Sequence, residues 1–317
     1  MRSPLAGGLA AAIFALTLAT GAARAELVRV GNPAADDFHF SMANVGTDAG
    51  IFKKYNIEIQ ITSLAGGAKL HAAMTAGSLD IALGAGTDFG LIAKGAPEKG
   101  IGAMAGKPSN FVVQASTLSK IETVAQLKGK KVAVSSVGAL TYWLGQQLMK
   151  SEGWGPNGME LVATGGGQAN VAGFISGNLD AAVTSLEAAL KVEKAGQGKI
   201  IMSFGEIIHP FIAHIIYATN DAIATKPDMV RRFLKGWYET IAFARTHKAE
   251  TIKYTQAATL LPDDLANKVY DLEMETFSTD GKFDLAAVES VKQALVDLGQ
   301  MTVKPDNKTL FTEEFLP

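Results

Sequence analysis

Apolar and polar residues follow one another along this chain in short runs whose periods change from strand to helix and back. Leu27-Val28-Arg29-Val30-Gly31 reads as a short buried strand. A polar loop from Asn32 to His39 follows, then an amphipathic helix from about Phe40 to Tyr55. Ile57-Glu58-Ile59-Gln60-Ile61 alternates with the period of two that a half-buried strand requires. Gly66-Gly67 opens a helix to about Thr75, Gly77 stops it, and Leu79 to Gly84 is the next strand, a β-α-β-α-β run.

One hundred positions on, the plan returns. Lys131 to Val134 is a strand, Ser135 to Gly138 a loop, Ala139 to Gly153 a helix and Met159 to Ala163 a strand. Gly165-Gly166-Gly167 opens the next helix, Gly177 ends it, and Ala181 to Thr184 is again strand. The wording repeats as well. Both copies keep the paired glycines (Gly66-Gly67, Gly166-Gly167), an alanine (Ala72, Ala172), the stopping glycine and Leu-Asp, while Met74 and Phe174 exchange one large apolar residue for another. Two similar halves place a binding site in the cleft between them. The stopping glycines suit a helix end that needs positive φ. Asp80 and Asp180 belong to the turn entering a strand and are read as structural rather than catalytic. His71, behind the first glycines, is expected to pack or to face water.

Phe111 to Gln114 and Ala213 to Ala218 are apolar strands outside the repeat and serve as a pair of crossovers between lobes. From Lys226-Pro227 onward the pattern turns helical: Met229 to Thr246, Ala249 to Ala258, Pro262 to Thr276 and Asp284 to Leu298. This tail is polar on one face and is expected to clothe the first lobe. Lys94 to Pro97 and Ala195 to Lys199 read as turns.

Composition narrows the function classes. Arg2, an apolar run from Leu5 to Leu18 and small residues up to Ala23-Arg24-Ala25 form a cleavable export signal over residues 1–25. No later run has transmembrane length, and without cysteine there is no lipid anchor, disulfide or thiolate chemistry. Removing the signal takes two of 29 basic residues and none of 31 acidic ones, leaving a net charge of −4 that argues against nucleic acid as a partner. There is no Gly-x-Ser-x-Gly elbow, His-Glu-x-x-His pair or Walker lysine, so no catalytic residue, metal or cofactor is expected.

Four phrases in consistent order carry a family resemblance: the export signal, Gly50-Ile51-Phe52-Lys53-Lys54-Tyr55-Asn56-Ile57, Ala76-Gly77-Ser78-Leu79-Asp80-Ile81-Ala82, and Val124 through Val134. Together they resemble the periplasmic substrate-binding proteins of ABC transporters, in the nitrate/sulfonate/taurine branch that also holds thiamine-pyrimidine-precursor binders. The resemblance implies an α/β, two-lobed periplasmic-binding-protein fold of type II, with two crossover strands and a helical C-terminal tail. It places residues 26–112 and 216–317 in lobe 1 and 113–215 in lobe 2. It also implies a monomeric periplasmic protein that closes on a small-molecule ligand by hinge motion and delivers it to an inner-membrane permease. One relative in the superfamily is a pyrimidine-synthesis enzyme that depends on a cysteine-rich motif, and that activity does not carry over to a chain without cysteine.

Ligands of open α/β sheets lie beyond the carboxyl ends of the strands. The loops there supply Asp37, Phe38, His39, Gly66, Gly67, Gly86, Thr87, Ser135, Ser136, Gly138, Ala139, Gln168, Thr184, Ser185 and Glu187, with Tyr142 one turn into a helix and His209 just before the second crossover strand. These loops contain no arginine or lysine. An anion would therefore rest on N–H groups at helix N-termini, with Ser135-Ser136 and Gly66-Gly67 the foremost positions, although helix capping alone also accounts for serine and glycine there. Phe38 and His39 are read as a lid or stacking wall, or as core. Glu187 is read either as a cleft acid selecting a cation or amino group, or as a solvated first-turn acid. The expected ligand is a small organic anion of the sulfonate or carboxylate type. The alternatives are a neutral or amino-bearing heterocycle such as a pyrimidine, held by Phe38 or Tyr142 and Glu187, and an exported enzyme of unknown reaction.

Overall fold

The computed structural model describes residues 25–64, 66–137 and 139–317, so the export signal, but for Ala25, and Gly138 lie outside the described residues. Two five-stranded sheets form, one in each half of the repeat. The first contains β1 (Glu26–Asn32), β2 (Ile57–Ser63), β3 (Ile81–Ala85), β4 (Glu98–Ala105) and β10 (His214–Thr219), in the order β2-β1-β3-β10-β4. The second contains β5 (Phe111–Ser116), β6 (Lys131–Val134), β7 (Glu160–Ala163), β8 (Ala181–Ser185) and β9 (Gly198–Ser203), in the order β7-β6-β8-β5-β9. In each sheet four strands run in one direction and one antiparallel strand, β10 or β5, is inserted between the third and the last. The chain passes between sheets twice, from β4 to β5 and from β9 to β10. The inserted strands are apolar along their length because both faces are covered, which suppresses alternation.

The helices of the first half are α1 (Phe38–Asp48), α2 (Ile51–Lys54), α3 (Gly67–Thr75) and α4 (Phe89–Ala93); those of the second are α5 (Leu140–Ser151), α6 (Gln168–Ile175) and α7 (Leu186–Lys194). The tail comprises α8 (Asn220–Thr225), α9 (Pro227–Thr246), α10 (Lys248–Thr259), α11 (Asp263–Glu273), α12 (Leu285–Asp297) and α13 (Asn307–Leu310). The single helix expected from Phe40 to Tyr55 is in fact two. It starts two residues early because the Asp37 carboxylate accepts the His39 amide at 2.8 Å as an N-cap, and it breaks at Gly50, whose φ of 71° ends α1 and begins α2. Among the described residues no helix is long and apolar enough to cross a membrane.

The repeat is visible in the bonds themselves. Gly77 and Gly177 both stand at φ 70° just past a helix end. The Asp80 carboxylate accepts the backbone N–H of Arg29 at 3.0 Å, and the Asp180 carboxylate accepts that of Lys131 at 2.9 Å, so each ties the entry of one strand to its neighbour. Asp80 does more: Arg29 Nε and Nη2 each reach it at 2.9 Å and Lys226 Nζ at 3.1 Å. Burial alone would raise its pKa, but these donors prevail and hold it at about 2.

The tail clothes the first lobe, as its amphipathic pattern implies: α9 places Phe233, Leu234, Trp237 and Ile241 in the core with Val28, Val30 and Phe52. It also reaches the second lobe. Leu186, Ala189 and Leu190 of α7 share that core with Tyr270 of α11, and Lys194 pairs with Asp264 at 2.6 Å. On the other flank Trp143 of α5 stacks on Phe211 and donates to Asp297 of α12 at 3.2 Å.

Candidate functional site

Because β6, β7 and β8 are parallel neighbours, their carboxyl ends and the helices that follow form one edge of the second lobe. Ser135, Ser136, Ala139 and Tyr142 lie at the start of α5, Gln168 begins α6, and Thr184 and Ser185 close β8. Ser136 and Gln168 are exposed, while Ser135 and Tyr142 are half-buried. Ser135 is already engaged, with its amide donating to Thr141 Oγ1 at 3.0 Å and its hydroxyl 2.8 Å from the same atom. Ser185 is also committed, accepting the Ala188 amide as the N-cap of α7. Ala139, the N-cap residue of α5, supplies no side-chain cap.

The corresponding edge of the first lobe carries Gly66 and Gly67 at the start of α3 and the turn Gly86–Asp88 after β3. Gly66 is exposed, whereas Gly86 and Thr87 are buried. Gly86 serves the second crossover rather than an open cleft: its N–H donates to the Ala213 carbonyl at 2.9 Å, and a Cβ there would land on the Ile212 carbonyl. His209 is exposed on that crossover, ahead of β10.

Three expected residues take a different role. Phe38 is 1% exposed and packs edge-on against Tyr270 and Phe277, so it is core and not a lid. Glu187 is also 1% exposed: it is neither a cleft acid nor a solvated one, because α7 packs on the tail and carries it into the junction between lobes. There its Oε1 accepts the Phe38 amide at 2.8 Å, a bond between residues 149 positions apart. His39, likewise buried, stacks between His214 and Phe277 with ring centroids 4.8 and 4.7 Å away. The Thr276 hydroxyl donates to the Glu273 carbonyl at 2.7 Å, so it accepts from His39 Nε2–H at 2.8 Å, and His39 Nδ1 faces Glu273 Oε2 at 3.2 Å.

The charges in this junction are interdependent. Burial opposes a charged His39, but the Asp37 and Glu273 carboxylates beside it prevail and raise its pKa to about 10. His214, desolvated and next to that imidazolium, is lowered to about 3. Glu187 is pushed well above the usual carboxylate range by burial and by the charges of Glu273 and Asp37. Glu273, Glu98 and His214 were not legible as site residues, since each acquires its role from a partner far away in sequence.

His71 is a second buried histidine between two acids. Its Nδ1 lies 2.7 Å from Glu98 Oε1 and its Nε2 lies 2.9 Å from Asp88 Oδ2. A lone pair on either nitrogen would face an oxygen lone pair, so the ring is an imidazolium. Burial would lower its pKa, and the two acids reverse that to about 10. One signal for this was available: His71 stands three residues from Met74 on the buried face of α3. Among the described residues no group of three or more His, Cys, Asp or Glu is arranged to hold a metal ion.

Two α/β lobes, each a five-stranded sheet with its helices, joined by two crossovers, define the periplasmic-binding-protein fold. The chain belongs to the NMT1/THI5-like family, whose model matches residues 38–251. Solved structures agree on the fold. The aliphatic sulphonate-binding protein SsuA of Escherichia coli is 18% identical with a TM-score of 0.76, covering 90% of this chain and 92% of its own. The alkanesulfonate-binding protein SsuA of Xanthomonas axonopodis pv. citri, solved with MOPS bound, is 17% identical with a TM-score of 0.73, covering 90% and 98%. The desulfurization enzyme DszB is 14% identical with a TM-score of 0.67, covering 92% and 97%. At these identities the likeness is one of fold. The comparison with curated proteins returns no match.

Proposed function

We propose that this chain is the exported, monomeric solute-binding component of an ABC importer, which captures a small organic anion of the sulfonate or carboxylate type and passes it to a membrane permease. Lobe 1 is then the first sheet with the tail, and lobe 2 the second sheet with its helices. The observation that carries the reading is the second-lobe edge, where Ser136 and Gln168 are exposed at the starts of α5 and α6 and no side chain caps α5. Helix N-termini with unfilled amides favour negative charge, each carrying about half a positive charge. The sulfonate-binding names of two fold relatives point the same way.

The heterocycle reading loses support because Glu187, its hydrogen-bonding acid, and Phe38, one of its two stacking residues, are buried in the lobe junction, which leaves it only Tyr142. DszB shows that this fold also hosts catalysis. A transport role is favoured here because the sequence supplies no cysteine nucleophile and no Gly-x-Ser-x-Gly elbow. A thermal-shift screen across alkanesulfonates, carboxylates, nitrate and pyrimidines tests the proposal, since a ligand that binds only the folded state raises its melting temperature. Stabilisation by sulfonates or carboxylates is expected. Silence across both classes, or turnover of a probe, would end the reading.

A further inference from the structure

A hollow of about 510 Å³ lies between the second lobe and the tail, and none of the exposed residues at the starts of α3, α5 and α6 lines it. Its size is that of a small-molecule site. The floor is apolar, formed by Val112 of β5, Leu186 of α7, and Ile200 and Met202 of β9, the last strand of its sheet, which no further strand covers. The opposite wall is α11, where Leu272 keeps 47% of its surface exposed. Elsewhere along their lengths α7 and α11 are closed on each other, with Lys194 and Asp264 2.6 Å apart. The hollow is thus a gap in an otherwise packed contact.

Its rim carries charge mainly of one sign. Three carboxylates, Glu193, Glu206 and Glu275, stand against a single ammonium, Lys268. Lys268 Nζ lies 3.6 Å from Glu193 Oε2, and Glu193 Oε1 accepts the Ile200 amide at 3.2 Å, so these two are engaged with each other and with β9. Glu206 accepts the Ser203 amide at 3.2 Å, but it forms no ion pair among the described residues. Glu275 is exposed and likewise lacks a cationic partner among them. Two uncompensated carboxylates above an apolar floor attract positive charge, and only an apolar body attached to that charge also gains from covering the floor. We propose that this hollow is a second binding site, separate from the strand-end cleft, for an amphipathic organic cation. Its ammonium pairs with the rim carboxylates, and its hydrocarbon lies between Leu272 and β9.

Ligand-observed NMR titration with 4-phenylbutylammonium, 4-phenylbutan-1-ol and methylammonium tests this on the wild type, K268Q and the double variant E206Q/E275Q, each checked by its melting curve. The first probe carries charge and body, the second only the body, the third only the charge. The wild type should bind the first saturably, and about tenfold or more tightly than either of the others. Removing two carboxylates should weaken it about tenfold, at about threefold for each exposed pair, while the alcohol is unaffected. K268Q should act in the opposite direction, tightening the cation about threefold by freeing Glu193. No saturable binding to the folded wild type would overturn the site and leave the acids as guards that keep an apolar edge strand from pairing. Equal affinity for the alcohol, or an affinity for the cation unchanged in both variants, would overturn it as well. No probe here is a sulfonate or carboxylate, so these outcomes leave the importer reading untouched.

Discussion

Replacing Asp80 and Asp180 separately by asparagine should expose an inequality hidden in the repeat. Both carboxylates accept a backbone N–H from the corresponding parallel strand of their sheet, β1 or β6, but only Asp80 is also met by Arg29 and Lys226 side chains. Its pKa of about 2, against about 3.9 for an unfolded aspartate, corresponds to roughly 2–3 kcal/mol of folding stability. Arg29 and Lys226 are each more than a third exposed, so solvent screening trims this to about 2 kcal/mol. D180N, which loses charge on one hydrogen bond to Lys131, should cost about 1 kcal/mol. The sign with pH follows from the depressed value: the Asp80 contribution is complete above the unfolded pKa and disappears as pH falls through about 4 toward 2. Urea unfolding of the wild type and both variants at pH 7 and at pH 2.5 measures this. Equal losses for D80N and D180N at pH 7, or a D80N deficit undiminished in acid, would refute the electrostatic account of Asp80.

Other outcomes follow from the same coordinates. Ser136→Trp, at an exposed position, should weaken capture of the true ligand about tenfold or more by filling the edge, with the melting temperature unchanged; undiminished affinity in calorimetry would remove the α5 terminus from the site. Glu187→Gln should be close to neutral in acid and increasingly stabilising as pH rises, because a carboxyl group with a raised folded pKa costs stability above its unfolded value; melts at pH 4.5 and 8.5 test the slope. His39→Leu should cost about 3–5 kcal/mol at neutral pH by stranding Asp37 and Glu273, read by urea unfolding. In the wild type the His39 contribution is complete below about pH 6.5 and is lost as pH rises through about 10.

Much of the scaffold could be read from residue order, since the repeat, the helix-stopping glycines and the strands β1, β2, β6 and β8 announce themselves by period and punctuation. The strands β4 and β9 did not. In β4, Gly100 and Gly102 make room for Phe89, Ile215 and the Tyr238 hydroxyl, so packing against distant side chains, and not alternation, selected its residues. The strand-end rule picks out loops that do follow the carboxyl ends of the parallel strands, because it depends on connection order alone. It misjudged Phe38, His39 and Glu187, whose burial depends on the tail folding back over the junction some 200 residues later in the chain for Phe38 and His39. Asp88 stood in a loop the rule picks out, yet its pairing with His71, itself held by Glu98, joins residues that no local pattern connects.

The exchange of inserted strands bears on how the protein assembles. All five strands of the second sheet come from one unbroken segment, Phe111 to Ser203, whereas the first sheet lacks its fourth-placed strand until His214 to Thr219 arrives, and β4 has only that strand as a neighbour in its sheet. During synthesis the lobe built on the second sheet can therefore complete its strands first. The first sheet must wait, with β3 and β4 unjoined, until His214 to Thr219 has been made.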